Sequence, residues 1–262
     1  MNRIKRVVLI GSGNVAEALA RTIGHCTEVQ LVQLFARNPE RGRQVAEIGQ
    51  TTWTDDPQQL AAADLYLLCV SDRAVAELAA SLPIPPTAVV AHTAGSVPLD
   101  ALPAKFAQRA VFYPLQTFTR GREIDFREIP IFLETTDDTL RSPLEHFARQ
   151  LSEQVIFADS EQRKRLHLAA VFACNFANHM YALGEQIVGN AGLDFALLKP
   201  LIAETARKAC DATSPITVQT GPAVRNDRTT QERHTAMLTE EPLLEELYRK
   251  ISQNIWEISK KI

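Results

Sequence analysis

The stretch Val7-Val8-Leu9-Ile10-Gly11-Ser12-Gly13-Asn14-Val15-Ala16 constrains the fold more than any other part of the chain. A run of β-branched and aliphatic residues ends abruptly at glycine, the pattern of a strand buried on both faces of a parallel sheet. Gly11-x-Gly13-x-x-Ala16 follows at once, and Ala16-Glu17-Ala18-Leu19-Ala20-Arg21 then has the composition of a helix. In such a stretch the first glycine permits a tight turn and the second lets backbone approach a pyrophosphate. The small third residue keeps the helix close to the sheet. The helix N-terminus offers free N–H groups and the positive end of a dipole to phosphates. Strand, turn and helix in this order imply a bound dinucleotide, cradled by Gly11, Ser12, Gly13, Asn14 and Val15.

A second strand is expected over Val29–Phe35, and its end decides which dinucleotide. NAD-specific folds place Asp or Glu there to hold the ribose hydroxyls. This chain places Ala36-Arg37-Asn38, with Arg41 and Arg43 close behind. A carboxylate repels a 2′-phosphate, whereas a guanidinium pairs with it bidentately. NADP is therefore the expected cofactor, with Arg37 as clamp and Asn38 or Arg41 as helpers. The alternative is a solvated Arg37 before the helix opened by Pro39.

The 262 residues exceed one average domain, and a net charge of −3 argues against a nucleic-acid surface. Cys26, Cys69, Cys174 and Cys210 form no C-x-x-C pair; three sit in apolar surroundings and are expected to be buried thiols in a reducing compartment. The apolar run after Met1–Arg6 is too short for a signal peptide, so the expected place is the cytoplasm. No metal-ligand spacing appears.

Further strands are expected over 50–53, 65–70, 88–91, 110–113, 131–134 and 155–157, with helices over 41–48, 74–82 and 138–151. This is a doubly wound α/β sheet domain over residues 1–158. Ligands gather at the C-terminal ends of such strands. Val70, Ser71 and Asp72 should lie beside the cofactor, Asp72 serving equally well as a helix N-cap. His92-Thr93-Ala94-Gly95-Ser96 and Pro114-Leu115-Gln116-Thr117-Phe118 should face the cleft, with Thr93 and Gln116 as cofactor contacts.

After Asp159 the strand signals stop, and residues 159–262 read as an all-helical domain for substrate binding and dimerisation. A first helix should run from Ser160 to about Asn190. Its apolar middle has the length of a membrane span, but His167, Asn175, Asn178 and His179 interrupt it. At about 100° per residue, His167, Asn178 and Glu185 share nearly one phase, with Asn175 not far off. Such a seam faces a cleft or bonds neighbouring helices. Helices over 195–212, 229–238 and 242–262 follow, with Thr220-Gly221-Pro222 and Arg225-Asn226-Asp227 in the intervening loop. Apolar residues on several faces of these helices point to a homodimer.

A Rossmann domain followed by helices, the first very long, resembles the 6-phosphogluconate dehydrogenase-like superfamily, which includes pyrroline-5-carboxylate reductase and ketopantoate reductase. A closer resemblance is to a family of Rossmann-like NADP oxidoreductases with a C-terminal helical domain of unknown function. It is carried by Val70-Ser71-Asp72, His92–Ser96, Pro114–Phe118, His167-Leu168-Ala169-Ala170 with Asn175, and Thr220-Gly221-Pro222 with Arg225, Asp227 and His234. Two departures matter. The hydroxyacid dehydrogenases and ketopantoate reductase carry a lysine on the long helix one turn before an asparagine, where this chain has Val171. Tyr113 stands where the family often has histidine, and could itself donate a proton.

The expected activity is NADPH-dependent reduction of a small carbonyl or imine compound. The cofactor supplies the hydride and the protein supplies orientation, a proton and charge stabilisation. His167 is the expected proton donor. Asn175 would bond the reacting oxygen or nitrogen, Arg225 would pair with a substrate carboxylate, and His234 is a second acid–base candidate. The alternatives are a regulator that binds NADP without turnover and a structural dimerisation protein.

Overall fold

The computed structural model describes residues 3–261. Packing divides the chain into two compact units, Met1–Asn178 and His179–Ile262. The first unit thus takes in the opening half of the long helix as well as the sheet domain expected over 1–158.

The first unit is built on eight strands: β1 (Arg6–Ile10), β2 (Gln30–Phe35), β3 (Thr52–Thr54), β4 (Leu65–Leu68), β5 (Val89–His92), β6 (Gln108–Pro114), β7 (Ile131–Thr135) and β8 (Val155–Phe157). Their order is β3-β2-β1-β4-β5-β6-β7-β8. The reversal of strand order between β1 and β4 is the switch point at which such sheets bind ligands. The pairs from β3 to β6 are parallel, as is β7 with β8. β7 runs antiparallel to β6. No crossover helix lies between those two strands, so the chain turns back along the edge.

Alternation along each strand makes two cores. Val7, Leu9, Leu67, Ala91 and Phe112 pack on one face with α1 (Asn14–Gly24), α2 (Pro39–Ile48) and α4 (Asp138–Leu151). Val8, Ile10, Leu68, Val90, Val111 and Tyr113 pack on the other with α3 (Val75–Ser81). β4 is buried throughout, as its unbroken apolar run requires.

The long helix opens on a capping box, in which Asp159 and Gln162 each bond the other's backbone. Its parts are α5 (Ser160–Ala170), a π-helical turn (Val171–Phe176) and α6 (Ala177–Asn190). The π turn corrects the straight-helix phase. It carries roughly one extra residue, so later positions lag by about 100°. Asn178 leaves the phase of His167, and Asn175, inside the turn, moves towards it.

The second unit continues with α7 (Lys199–Asp211), α8 (Arg228–Ala236) and α9 (Pro242–Ser259). Among its described residues only Ala223, Thr235 and Ser252 are buried. Its apolar faces instead line a hollow of about 400 Å³ that includes Met180, Leu183, Ile187, Leu244, Leu247 and Ile255. The cysteine expectation needs correction. Cys69 is buried and Cys26 half-buried, but Cys174 and Cys210 are exposed, because the helix faces carrying them are not covered within the chain. Among the described residues, no helix is long and apolar enough to cross a membrane, and no cluster of three His, Cys, Asp or Glu could hold a metal ion.

Candidate active site

A cleft of about 600 Å³ opens at the C-terminal ends of β1, β2, β4 and β5. Its floor is the glycine turn. Gly11 has φ +119°, and a Cβ there would meet the Cys69 carbonyl oxygen at 2.3 Å. Only glycine fits, for reasons inside the fold. Gly13 is different. A Cβ on it would meet nothing within 4 Å and would stand in the cleft itself. Gly13 is the N-cap of α1, and no side chain caps that helix. The first N–H groups of α1 are therefore free for an anion, and backbone can approach it closely. The cradle fits a dinucleotide pyrophosphate on its own geometry.

Ser12, Asn14, Val15, Arg37, Asn38, Val70, Ser71, Thr93 and Gln116 also line this cleft, together with Gly11 and Gly13. Asp72 is the exception among the expected contacts. It is not in the lining, nor is it the N-cap of the short helical turn that follows, which is Ser71. Its carboxylate instead accepts the hydroxyl hydrogen of Ser96. Phe118 and one face of the α3 segment (Ala74, Glu77, Leu78 and Ser81) complete the wall. Those four recur at helical spacing, a pattern visible in the sequence.

The three arginines after β2 separate by role. Arg37 makes no hydrogen bond or ion pair among the described residues and borders the mouth of the cleft. The Arg43 guanidinium lies 4.8 Å from the centre of the Trp53 ring. Arg41 turns inward, where its Nε donates to the Ser12 carbonyl at 3.1 Å and a terminal nitrogen pairs with Glu17. Asn38 caps α2 by accepting the Arg41 N–H at 2.9 Å. Arg41 thus braces the glycine turn from beneath, which removes it as a helper at a 2′-phosphate.

Glu17 is the hub of that brace. Its carboxylate also accepts the Gly121 N–H at 3.0 Å. Asn14 donates to the Phe118 carbonyl at 3.0 Å, and Arg120 to Gln44 at 2.8 Å. The loop after β6 is thereby strapped to the phosphate end of α1. Burial pushes the Glu17 carboxyl up, but the Arg41 and Gly121 bonds with the charges of Arg41 and Arg21 outweigh it and hold it below its usual value.

At the ends of β5 and β6 a second polar group forms. Tyr113 packs over Gly95, where an added Cβ would come within 2.6 Å of the phenol ring. Its hydroxyl lies 3.1 Å from Nδ1 of His167 on α5. Burial pushes the Tyr113 phenol up, so it stays protonated at neutral pH. The neighbouring loop is held by Arg163, which is fully buried. Its guanidinium pairs with Glu134 at 2.6 Å and donates to the carbonyls of Ala94, Gly95 and Val97. His92, also fully buried, is pushed down to about 4 by burial and the Arg163 charge, and stays neutral. Asn175 lies on the π turn and is exposed.

Arg225 and His234 belong to the second unit. Arg225 is exposed. His234 Nδ1 lies 2.8 Å from the Tyr248 hydroxyl, beside the apolar hollow.

A family model described as "NADP oxidoreductase coenzyme F420-dependent" matches residues 6–95, and one described as "Domain of unknown function (DUF2520)" matches residues 129–255. No curated protein matches the chain. A structure from Bacteroides fragilis, described as a "putative NADP oxidoreductase", is 40% identical, with 97% of this chain and 98% of that one aligned and a TM-score of 0.89. A Thermotoga maritima protein shares the fold at 23% identity, covering 97% of this chain and 98% of its own, with a TM-score of 0.73. The fold is also that of a reductive aminase from Aspergillus terreus, solved with NADPH and ethyl-5-oxohexanoate. It is 15% identical, covers 99% of this chain and 93% of its own, and has a TM-score of 0.64. With 40% identity along nearly its whole length, the chain belongs to the Rossmann-like NADP oxidoreductase family with a C-terminal DUF2520 domain, and it is an oxidoreductase that uses a nicotinamide cofactor.

Proposed function

We propose that the protein is an NADPH-dependent reductase of a small carbonyl or imine compound. The observation that carries this reading is the presence in one unit of a pyrophosphate cradle and a Tyr113–His167 proton-bearing pair. When bound, the cofactor supplies a hydride. The chain supplies the rest. The free N–H groups at the start of α1 hold the phosphates, and Arg37 pairs with the 2′-phosphate. His167 gives a proton to the reacting oxygen or nitrogen, and Asn175 orients that atom by a hydrogen bond. The fold shared with a reductive aminase supports this reaction class by analogy alone.

NADPH absorbance followed against a panel of keto acids, ketones with amines, and cyclic imines tests the reading. Turnover that falls at least a hundredfold in His167→Ala is the expected result, since a positioned acid contributes roughly 10²–10⁴-fold. Tight NADPH binding with no turnover of any member would instead favour a regulator that only senses NADP.

The active form we propose is a homodimer through the helices. Leu197, Leu201, Met237 and Leu243 of the second unit are between 62% and 84% exposed. Four large apolar side chains this open, on a unit with so little buried interior, need a covering surface. The expected sedimentation result is a dimer at micromolar concentration; a monomer there removes this part of the proposal.

A further inference from the structure

The contact between Tyr113 and His167 has a direction, and that direction decides which ring nitrogen can reach a substrate. A neutral imidazole has one N–H donor and one acceptor nitrogen, and its neighbours select which is which. The Tyr113 hydroxyl is the only hydrogen-bond partner of His167 Nδ1 among the described residues, at 3.1 Å. The reverse also holds, for the hydroxyl has no second partner there. Tyr113 is buried, and a buried hydroxyl that only accepts leaves its own hydrogen unbonded at a cost. Donation to Nδ1 satisfies both groups at once. The opposite arrangement, with Nδ1–H donating to the hydroxyl, leaves the phenol hydrogen without a partner among the described residues.

We infer that Tyr113 is a positioning residue which donates its hydroxyl hydrogen to Nδ1 of His167, so that neutral His167 carries its proton on Nε2 and presents that N–H to the substrate. As Nε2 gives its proton to the substrate, Nδ1 takes the Tyr113 hydroxyl hydrogen, so the imidazole stays neutral and the charge passes to the phenolate; this use of Nε2 rests on the proposed role of His167 as proton donor, and the tautomer itself rests on the geometry alone. Tyr113 is fixed on three sides. Its ring packs against Gly95, lies 6.4 Å from that of Phe132, and meets the imidazole edge-on at 6.1 Å. The charges acting on it come from Arg163, one turn earlier on α5, and from Asp72, whose carboxylate is tied to Ser96. Neither makes a hydrogen bond to His167 among the described residues, so neither competes for Nδ1. Nε2 has no hydrogen-bond partner there and is the nitrogen left for chemistry.

The second unit repeats the arrangement. His234 Nδ1 lies 2.8 Å from the Tyr248 hydroxyl, with the rings edge-on at 5.6 Å. That pair is an internal control, since Tyr113→Phe should leave it unchanged.

The test is ¹⁵N–¹H correlation of imidazole-labelled full-length protein, with His167 assigned by its absence in His167→Gln. The measurement is made where the imidazole is neutral. The expected result is a His167 ring with an unprotonated, hydrogen-bonded Nδ1 and a protonated Nε2. Tyr113→Phe should convert it to a mixture while His234 keeps its signals, with a population change of roughly two- to tenfold for one net hydrogen bond. A wild-type ring protonated on Nδ1 overturns the inference, and so does a tautomer ratio indifferent to Tyr113→Phe. The wild-type spectrum alone decides if the variant fails to fold. Turnover adds an arm for the use of Nε2. Glutamine places its amide nitrogen near Nε2 but cannot give up a proton, so His167→Gln should lose at least a hundredfold in kcat while keeping its NADPH dissociation constant. Retained kcat in His167→Gln, with the expected tautomer intact in the wild type, counts against His167 as the donor and leaves the positioning role of Tyr113 standing.

Discussion

Glu17→Gln isolates the brace beneath the cofactor cradle. The substitution keeps the side-chain shape and removes one charge. In the native protein Oε2 takes the Arg41 guanidinium and Oε1 takes the Gly121 N–H, with the Glu17 side chain 6% exposed and that of Arg41 15% exposed. A glutamine has one acceptor oxygen, so one donor must face an NH₂ group. Hydrogen bonds to charged groups contribute about 1.5–3 kcal/mol, and breaking a fully buried pair costs about 3–5 kcal/mol. Arg41 keeps some contact with water, so about 2–3 kcal/mol is the expected loss. For a chain of this size that lowers Tm by roughly 5–10 °C. The pH dependence follows in sign. Glu17 has a folded value held below its reference of 4.5, so its stabilisation is present above about 4.5 and is lost as pH falls through the folded value. The difference between wild type and Glu17→Gln should therefore be full at neutral pH and fade in acid. Urea unfolding followed by Trp53 fluorescence, in a Trp256→Phe background, reads the first unit. Because Arg41 also holds the Ser12 carbonyl, NADPH affinity should fall with stability. An unchanged midpoint at neutral pH, or a gap that stays constant into acid, refutes the reasoning.

Two glycines of one motif should fail for opposite reasons. Gly11→Ala should lose about 2–5 kcal/mol from left-handed strain and the clash with the Cys69 carbonyl, whereas Gly13→Val should keep its Tm and lose NADPH binding by calorimetry. Retained affinity in a folded Gly13→Val protein sinks the cradle. Arg37→Asp should weaken NADPH by roughly ten- to a hundredfold and spare NADH; equal dissociation constants for the two cofactors in the wild type would remove Arg37 as the clamp.

What was legible in the sequence was what local spacing and composition encode. The glycine turn, the apolar strands and the switch from strands to helices after Asp159 each follow from a short window, and the cleft lining mostly repeats them. The losses came where an interaction spans the chain. Arg37 and Arg41 look alike in sequence, yet Glu17, lying 24 positions before Arg41, draws only the latter inward. The partnership of Tyr113 with His167 crosses 54 positions and leaves no periodic trace. The phase of Asn178 departs from that of a straight helix for a third reason. A π turn is one extra residue in a helix, and nothing in Val171-Phe172-Ala173-Cys174-Asn175-Phe176 announces it by propensity. Such turns tend to occur at functional sites because they redirect one side chain at the expense of regular hydrogen bonding. Here the redirected side chain is Asn175, moved towards the phase of His167, and a straight-helix variant lacking one residue of the turn should therefore impair the site while sparing the sheet domain.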